Sequence, residues 1–300
     1  MSMGEWLGDN GPRIVVTVVM AGETISTALN GPQAAVALYG ALLAAGVWAW
    51  HGRYTFDRAV SGGHLAKLAT WDLYIHHRTP PEDDDGLYTA MAQRMRQTDQ
   101  HVRAFAAQHS LELISIALPT KREAFGDARS TRHGNRGHLW LGTRWFHPRH
   151  AHHLPAVREH ELAHLRRRDT RKRLVAETTA VAAAALAAGL LTLPALALTA
   201  LTAWLGIGAV HWWSELACDA AAVRACGRSP VAAMWSADLA EERTMPWPSR
   251  TRHTLRALHR HPPLRLRRWF ARRAPLPLPD ASHPLTITPG TMRAQATPEQ

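Results

Sequence analysis

The chain has 300 residues, a formal net charge of +11 and only two cysteines, Cys218 and Cys226. Its length allows one sizeable domain or two small ones with a real core, and one cysteine pair spaced eight residues apart excludes a disulfide scaffold. A pI near 10.8 leaves three destinations for the surplus cations: nucleic acid, a membrane surface, or the cytoplasmic side of a membrane protein.

The start, MSMGEWLGDNG, carries no basic segment, so no cleavable secretory leader is expected. In the next stretch, IVVTVVMAGETISTAL, Glu23 interrupts an apolar run, and both a membrane span and a surface helix stay open. From Gln33 to Trp50, QAAVALYGALLAAGVWAW has no charge, close to the roughly 20 apolar residues that cross a bilayer. It ends in Trp48 and Trp50, followed by His51 and Arg53, as at a membrane interface. A membrane anchor over residues 1–52 is therefore expected rather than a buried soluble helix.

TPPEDDDG, residues 79–86, reads as a loop, and LYTAMAQRMRQTDQHVRAFAAQH reads as an amphipathic helix from its apolar spacing. LELISIAL, 111–118, predicts a strand. A polar insertion with several glycines follows, and then HLWLGTRWF, 138–146, predicts a second strand by its alternation. Pro155 opens a helix that carries EHELAHLRRRD, residues 159–169. From Thr178 to Val210 the chain has no charged residue, with Pro194 at the midpoint. As one helix this run would be about 50 Å long, whereas one crossing needs only about 30 Å. Two helices joined near Leu193-Pro194 fit better. The tail, 275–300, is rich in proline and threonine and is expected to be disordered.

His160-Glu161-Leu162-Ala163-His164 is an H-E-x-x-H pattern. On a helix, residues i and i+4 share a face, so both imidazoles reach one ion while Glu161 reaches a water bound to it. Zinc suits such ligands, and a catalytic zinc takes three of them plus water. One zinc per chain is expected, with Glu161 as general base. With nineteen histidines in the chain the motif needs a third ligand. HWWSELACDAAAVRACG, 211–227, supplies Glu215 as ligand and, four residues on, Asp219 to accept the outer N–H of His160 or His164. Cys218 points to another face and reads as a buried structural thiol. The cluster His147, His150, His152 and His153 reads as a solvent-facing loop rather than a second metal site.

Topology offers an independent constraint. His164 and Glu215 flank the uncharged run, so a single crossing would place them on opposite sides of a membrane, and two crossings reunite them. Arg166, Arg167, Arg168, Arg171, Lys172 and Arg173 precede the run, and its turn has no charge. Positive residues stay in the cytoplasm, so a multi-pass protein of the cell membrane with its site facing the cytoplasm is expected.

HELAHLRRRD, an apolar hairpin, then SELACDAAAV resembles the HtpX-like and CAAX prenyl protease group of membrane zinc metallopeptidases, which are gluzincins. The resemblance runs in order from about residue 84 to 270. It implies an α+β fold: a mostly helical gluzincin metallopeptidase domain with a small β-sheet, plus transmembrane helices. The implied organisation is an anchor at 1–52, a first catalytic part at 53–174, a hairpin at 175–213, a second catalytic part at 214–274, and the tail. The group also carries a His-Pro element with an arginine beyond it, which in HRHPPLRLRRWF falls on His261 and Arg267 as cationic donors to the tetrahedral oxyanion. HLWLGTRWF resembles the group's edge strand, on which an extended peptide pairs. Where the group has an Asn-Ala-Phe-like stretch, this chain has Glu123-Ala124-Phe125-Gly126, so Glu123 receives no role.

The implied activity is a membrane-bound endopeptidase acting on protein or peptide substrates, misfolded membrane proteins among them, in contact with a lipid bilayer and without nucleic acid. The alternatives are a BlaR-like antibiotic-sensor peptidase, which shares the HELAH…ELACD pattern, and a non-catalytic basic membrane protein. The nucleic-acid class has the charge but none of the usual recognition motifs.

Overall fold

The computed structural model describes residues 3–61, 86–117 and 128–276. Most of 79–86, the 123–126 stretch and the tail from 277 lie outside the described residues. Two long helices open the fold, α1 (Met3–Asn30) and α2 (Ala34–Ser61). The amphipathic helix α3 (Leu87–Gln108) leads into β1 (Glu112–Ala117), β2 (Ala128–His133) and β3 (Arg136–Leu141). The helices α4 (Leu154–Arg167), α5 (Asp169–Leu190) and α6 (Leu193–Cys226) follow, then α7 (Arg228–Thr244), α8 (Trp247–Leu258) and α9 (Leu264–Arg273). The described chain is mostly helical with one small sheet.

Four segments are long and apolar enough to cross a membrane: Asn10–Asn30, Ala34–Gly52, Asp169–Leu190 and Leu193–Cys226. The expectation left the first of these open. Its apolar residues face outward, with Val18 64% and Leu29 77% exposed, as do Tyr39 on α2 and Leu193 on α6. A helix in a water-soluble core would bury such side chains. The uncharged run folds as two helices, with Leu191 and Thr192 between them and Pro194 in the first turn of α6. There it lacks only an N–H that has no helical partner anyway. The second helix is longer than the 175–213 hairpin implied. It continues without a break to Cys226 and ends at Gly227, whose φ of 88° suits glycine.

The sheet has the order β1-β3-β2, with β1 parallel and β2 antiparallel to β3. This corrects two expectations. The strand predicted over 138–146 stops at Leu141, and Thr143–Phe146 forms a 3₁₀ turn that buries Trp145 and Phe146 in the core. The aromatic pattern came from core packing, not from strand alternation. The polar insertion also contains β2, joined to β3 through Gly134 at φ 60°, so β3 is central and β2 is an edge strand, as is β1. The turn needs φ above zero at its first central position, which is where Gly134 sits.

The main core lies between α3, β3, α4, the end of α6 and α7. It includes Met95, Val102, Leu139, Phe146, Leu162, Leu165, Val223 and Met234. Leu162 and Leu165 are three residues apart on α4, so one face of the motif helix is pinned there. The opposite side of α4 meets α6. The apolar helices meet at close range: a Cβ on Gly189 of α5 would stand 2.4 Å from the Cβ of Ala37 on α2 and 2.9 Å from its Cα. Gly189→Val is therefore expected to force α2 and α5 apart and to destabilise the protein by about 1–3 kcal/mol, read as a lower unfolding temperature in detergent.

Candidate metal centre

His160 and His164 face the same side of α4, four residues apart, and Glu215 reaches them from α6. The ring nitrogens His160 Nε2 and His164 Nε2 are 3.2 Å apart. Glu215 Oε2 lies 3.5 Å from the first, and Oε1 lies 3.4 Å from the second. All three residues are buried, and their donor atoms lie within 4.8 Å of one another. Four donors placed tetrahedrally at zinc bond lengths of about 2.0–2.1 Å stand about 3.4 Å from each other, so the donor set fits such an ion. The electrostatics fit as well. Burial works against a charge on His160, but hydrogen bonds to the Asp219 and Glu215 carboxylates override it and raise the His160 pKa to about 9.

Each of the two histidines has its own carboxylate behind it. His160 Nδ1 lies 3.0 Å from Asp219 Oδ1, which settles which of the two histidines Asp219 serves. His164 Nδ1 lies 3.0 Å from Asp169 Oδ2. Such contacts fix the tautomer and the ring orientation. Sequence reasoning passed over Asp169 although it closes the quoted motif. The chain turns at Arg168, a non-glycine residue with φ 56°, and that turn brings Asp169 back under His164. No residue type announces such a reversal. Cys218 is fully buried at the back of the same group, its Sγ 3.2 Å from His164 Nδ1 and 3.4 Å from Asp169 Oδ2. His164, Asp169 and Cys218 thus form a second close set, but it shares His164 with the first.

Glu161 points into a cavity of about 370 Å³ also lined by His160, His164, Glu215, His261 and Arg267. Ser130 on β2 lies with Oγ 2.8 Å from Glu161 Oε2 and 2.9 Å from the Glu161 carbonyl oxygen, so its one proton serves one of them at a time. Ser130 was hidden in the stretch read as a polar insertion. Backbone direction adds a further feature. Arg132 N donates outward from β2 to Thr170 Oγ1, and the period of two turns the backbone groups of Ser130 and Ala128 the same way. Both residues line the cavity, so the edge of the sheet at the site is β2, not the segment 138–146.

His261 and Arg267 both come to the site, in different positions. His261 stands half exposed at the mouth, its Nδ1 3.3 Å from Glu215 Oε2. Arg267 is buried against His160 and Glu215. Its Nε and Nη2 donate to both oxygens of Asp219, at 2.9 and 2.8 Å, and its guanidinium lies 3.6 Å from the ring centre of Trp235. Burial opposes its charge, while Asp219 and Glu215 hold it protonated. Besides gripping Asp219, its Nη2 lies 3.2 Å from Glu215 Oε2 and 3.3 Å from His160 Nε2, so Arg267 touches both residues directly. Arg173 on α5 was not expected here, and its Nη2 donates to Glu215 Oε1 at 2.7 Å. Among the described residues the His147–His153 cluster forms no three-donor set. It is not wholly solvent-facing either, because His153 is buried, and burial with its histidine neighbours lowers its pKa to about 4.

Set against models of known families, curated proteins and solved structures, the chain finds no match.

The two carboxylates behind the histidines give a graded expectation. Asp169→Asn and Asp219→Asn should each weaken zinc binding by about 10–100-fold, while Glu215→Gln, which removes a direct ligand, should weaken it more. Titration of the purified variants against a zinc chelator ranks them. The assignment of Glu215 fails if its variant holds zinc as firmly as the unaltered protein.

Proposed function

We propose that the protein is a membrane-bound zinc-dependent endopeptidase. The observation that carries this reading is the convergence of His160, His164 and Glu215 at tetrahedral spacing, with Glu161 beside them in an open cavity. His160, His164 and Glu215 would hold the ion, which supplies an acidified water and polarises the scissile carbonyl. Glu161 takes the proton of the attacking water and hands it to the leaving amine, and Ser130 keeps its carboxylate turned into the cavity. Asp219, held by Arg267, and Asp169 keep the imidazoles in place. His261, the cationic donor nearest the open side, meets the charge that builds on the carbonyl oxygen. An extended substrate pairs with the outward backbone groups of β2.

The resemblance to the HtpX-like and CAAX prenyl protease group supports the same reading. It rests on H-E-x-x-H, the intervening hairpin, and the Glu215 and Asp219 spacing. The substrates are protein or peptide chains close to the bilayer, misfolded membrane proteins among them. The helices themselves support that choice. Glu215 is 22 residues from Leu193 on α6, about 33 Å at helical rise, so the cavity lies at the edge of a hydrocarbon layer about 30 Å thick. The cations from Arg166 to Arg173, against an uncharged turn at 191–192, support a site on the cytoplasmic face. The two crossings of the hairpin keep the segments on either side of it together.

Two measurements test this. Glu161→Gln should retain zinc at one per chain and lose nearly all cleavage of casein, because it removes the base and no ligand, whereas His160→Ala should lose both. Full cleavage by Glu161→Gln would remove Glu161 from the mechanism. In intact cells, an impermeant maleimide should label a cysteine placed at position 194 and spare one at position 130 or 255; the reverse pattern overturns the orientation.

A further inference from the structure

Helix α4 ends and α5 begins within a single residue, and this corner has more positive charge than it uses. Arg167 Nε and Lys172 Nζ turn inward to Asp169, at 3.2 and 3.6 Å. Arg166, Arg168 and Arg171 are exposed and take part in no ion pair with the described residues. Arg168 also stands close enough to Arg132 that, after burial, it is the second cause lowering the Arg132 pKa. Like charges are crowded here, and the carboxylate at the corner, Asp169, is already taken up by His164, Arg167 and Lys172. Holding a long, charged arginine in a left-handed conformation adds backbone cost at the same spot. Nothing in the cavity uses these three side chains.

The level of the corner is marked independently. One turn from the Arg173–Glu215 pair, Glu177 on α5 meets His211 on α6 at 3.2 Å, and Trp48 on α2 donates to the same carboxylate at 3.3 Å. Trp50 and Trp213, beside this level, are 61% and 73% exposed. Exposed tryptophans beside polar pairs are the mark of a membrane–water boundary. Arg171 is six residues, about 9 Å, along α5 from Glu177, on the side away from the apolar run. The three arginines therefore stand at the depth of lipid headgroups.

We propose that the α4–α5 corner docks, through Arg166, Arg168 and Arg171, on the phosphate groups of anionic lipids in the bilayer that α5 enters. Arginine suits this partner, since its planar fork meets two phosphate oxygens at once. The contact fixes the height of α4, and with it the cavity mouth, above the membrane surface. It stands whether or not the cavity cleaves peptides, because it uses none of the residues placed there.

The test uses the full-length protein reconstituted in bilayers that contain trace spin-labelled phosphatidylglycerol or phosphatidylcholine. Electron paramagnetic resonance then measures the fraction of each label held at the protein surface. The unaltered protein should prefer phosphatidylglycerol by about fivefold or more, the selectivity expected from even one well-placed cation, and the preference should weaken at high salt. The variant Arg166→Gln/Arg168→Asn/Arg171→Gln should lose most of it; asparagine is chosen at 168 because it tolerates the left-handed backbone. Should that variant not fold, Arg166→Gln/Arg171→Gln leaves the turn untouched and should lose a large part of the preference. Replacing all three by lysine should keep most of it. The proposal is overturned if the unaltered protein shows no preference, or if the neutralised variants retain it, which would move the lipid contact to another basic surface such as α9. It is equally overturned if a single-stranded oligonucleotide binds the protein in neutral lipid and the neutralised variants lose that binding.

Discussion

Glu215 is a carboxylate with almost no water around it, 2% exposed. A buried charge is costly unless it is paired and hydrogen-bonded on all sides. Here the pairing comes from four separate places in the chain. The two histidines arrive on α4, Arg173 on α5, Arg267 on α9, and His261 from the connection between α8 and α9. The need to satisfy one carboxylate thus ties the motif helix, both arms of the apolar hairpin and the C-terminal basic segment into a single arrangement. Each of these groups shares in covering the same buried charge.

The same helices do two jobs. α5 and α6 each bring a residue to the cavity, Arg173 and Glu215, and run from it into the apolar bundle. Along them the Arg173–Glu215 and Glu177–His211 pairs stack one turn apart. Polar chemistry and the apolar helix surface therefore meet over a single helical turn, and the donors sit on continuous helices rather than loops. Side chains on such elements are held within narrower limits than loops allow. Behind them, the second carboxylates make the arrangement two layers deep: Arg267 holds Asp219, Asp219 holds His160, and Asp169 holds His164. The stack of Arg267 on Trp235 extends this order to α7.

Much of this was legible in the sequence because it depends on short, regular spacings. Two histidines at i and i+4 share a helical face wherever the helix goes, and so do Glu215 and Asp219 at the same interval. An uncharged run of about 50 Å as one helix, with a proline at its middle, fits two crossings of a layer about 30 Å thick better than one. These conclusions need only helix geometry and the cost of charge in an apolar medium.

What only the tertiary structure decided lies where the chain reverses or where distant segments meet. Trp145 and Phe146 looked like strand residues, but they face the core from a 3₁₀ turn, since an aromatic side chain serves either purpose. β2 went unread because an edge strand of Ala-Arg-Ser-Thr-Arg-His has no apolar alternation, and with it went Ser130 and its contact with Glu161. Asp169 and Arg173 looked like ordinary members of a basic run, and a local reading had no way to tell them from their exposed neighbours. Their roles depend on the left-handed turn at Arg168 and on the approach of α6 from more than forty residues away. The sequence by itself determined which residues could bind a cation, because spacing and side-chain chemistry are local. Tertiary structure alone decided which groups hold those residues in place, because a buried charge draws its partners from wherever the fold brings them.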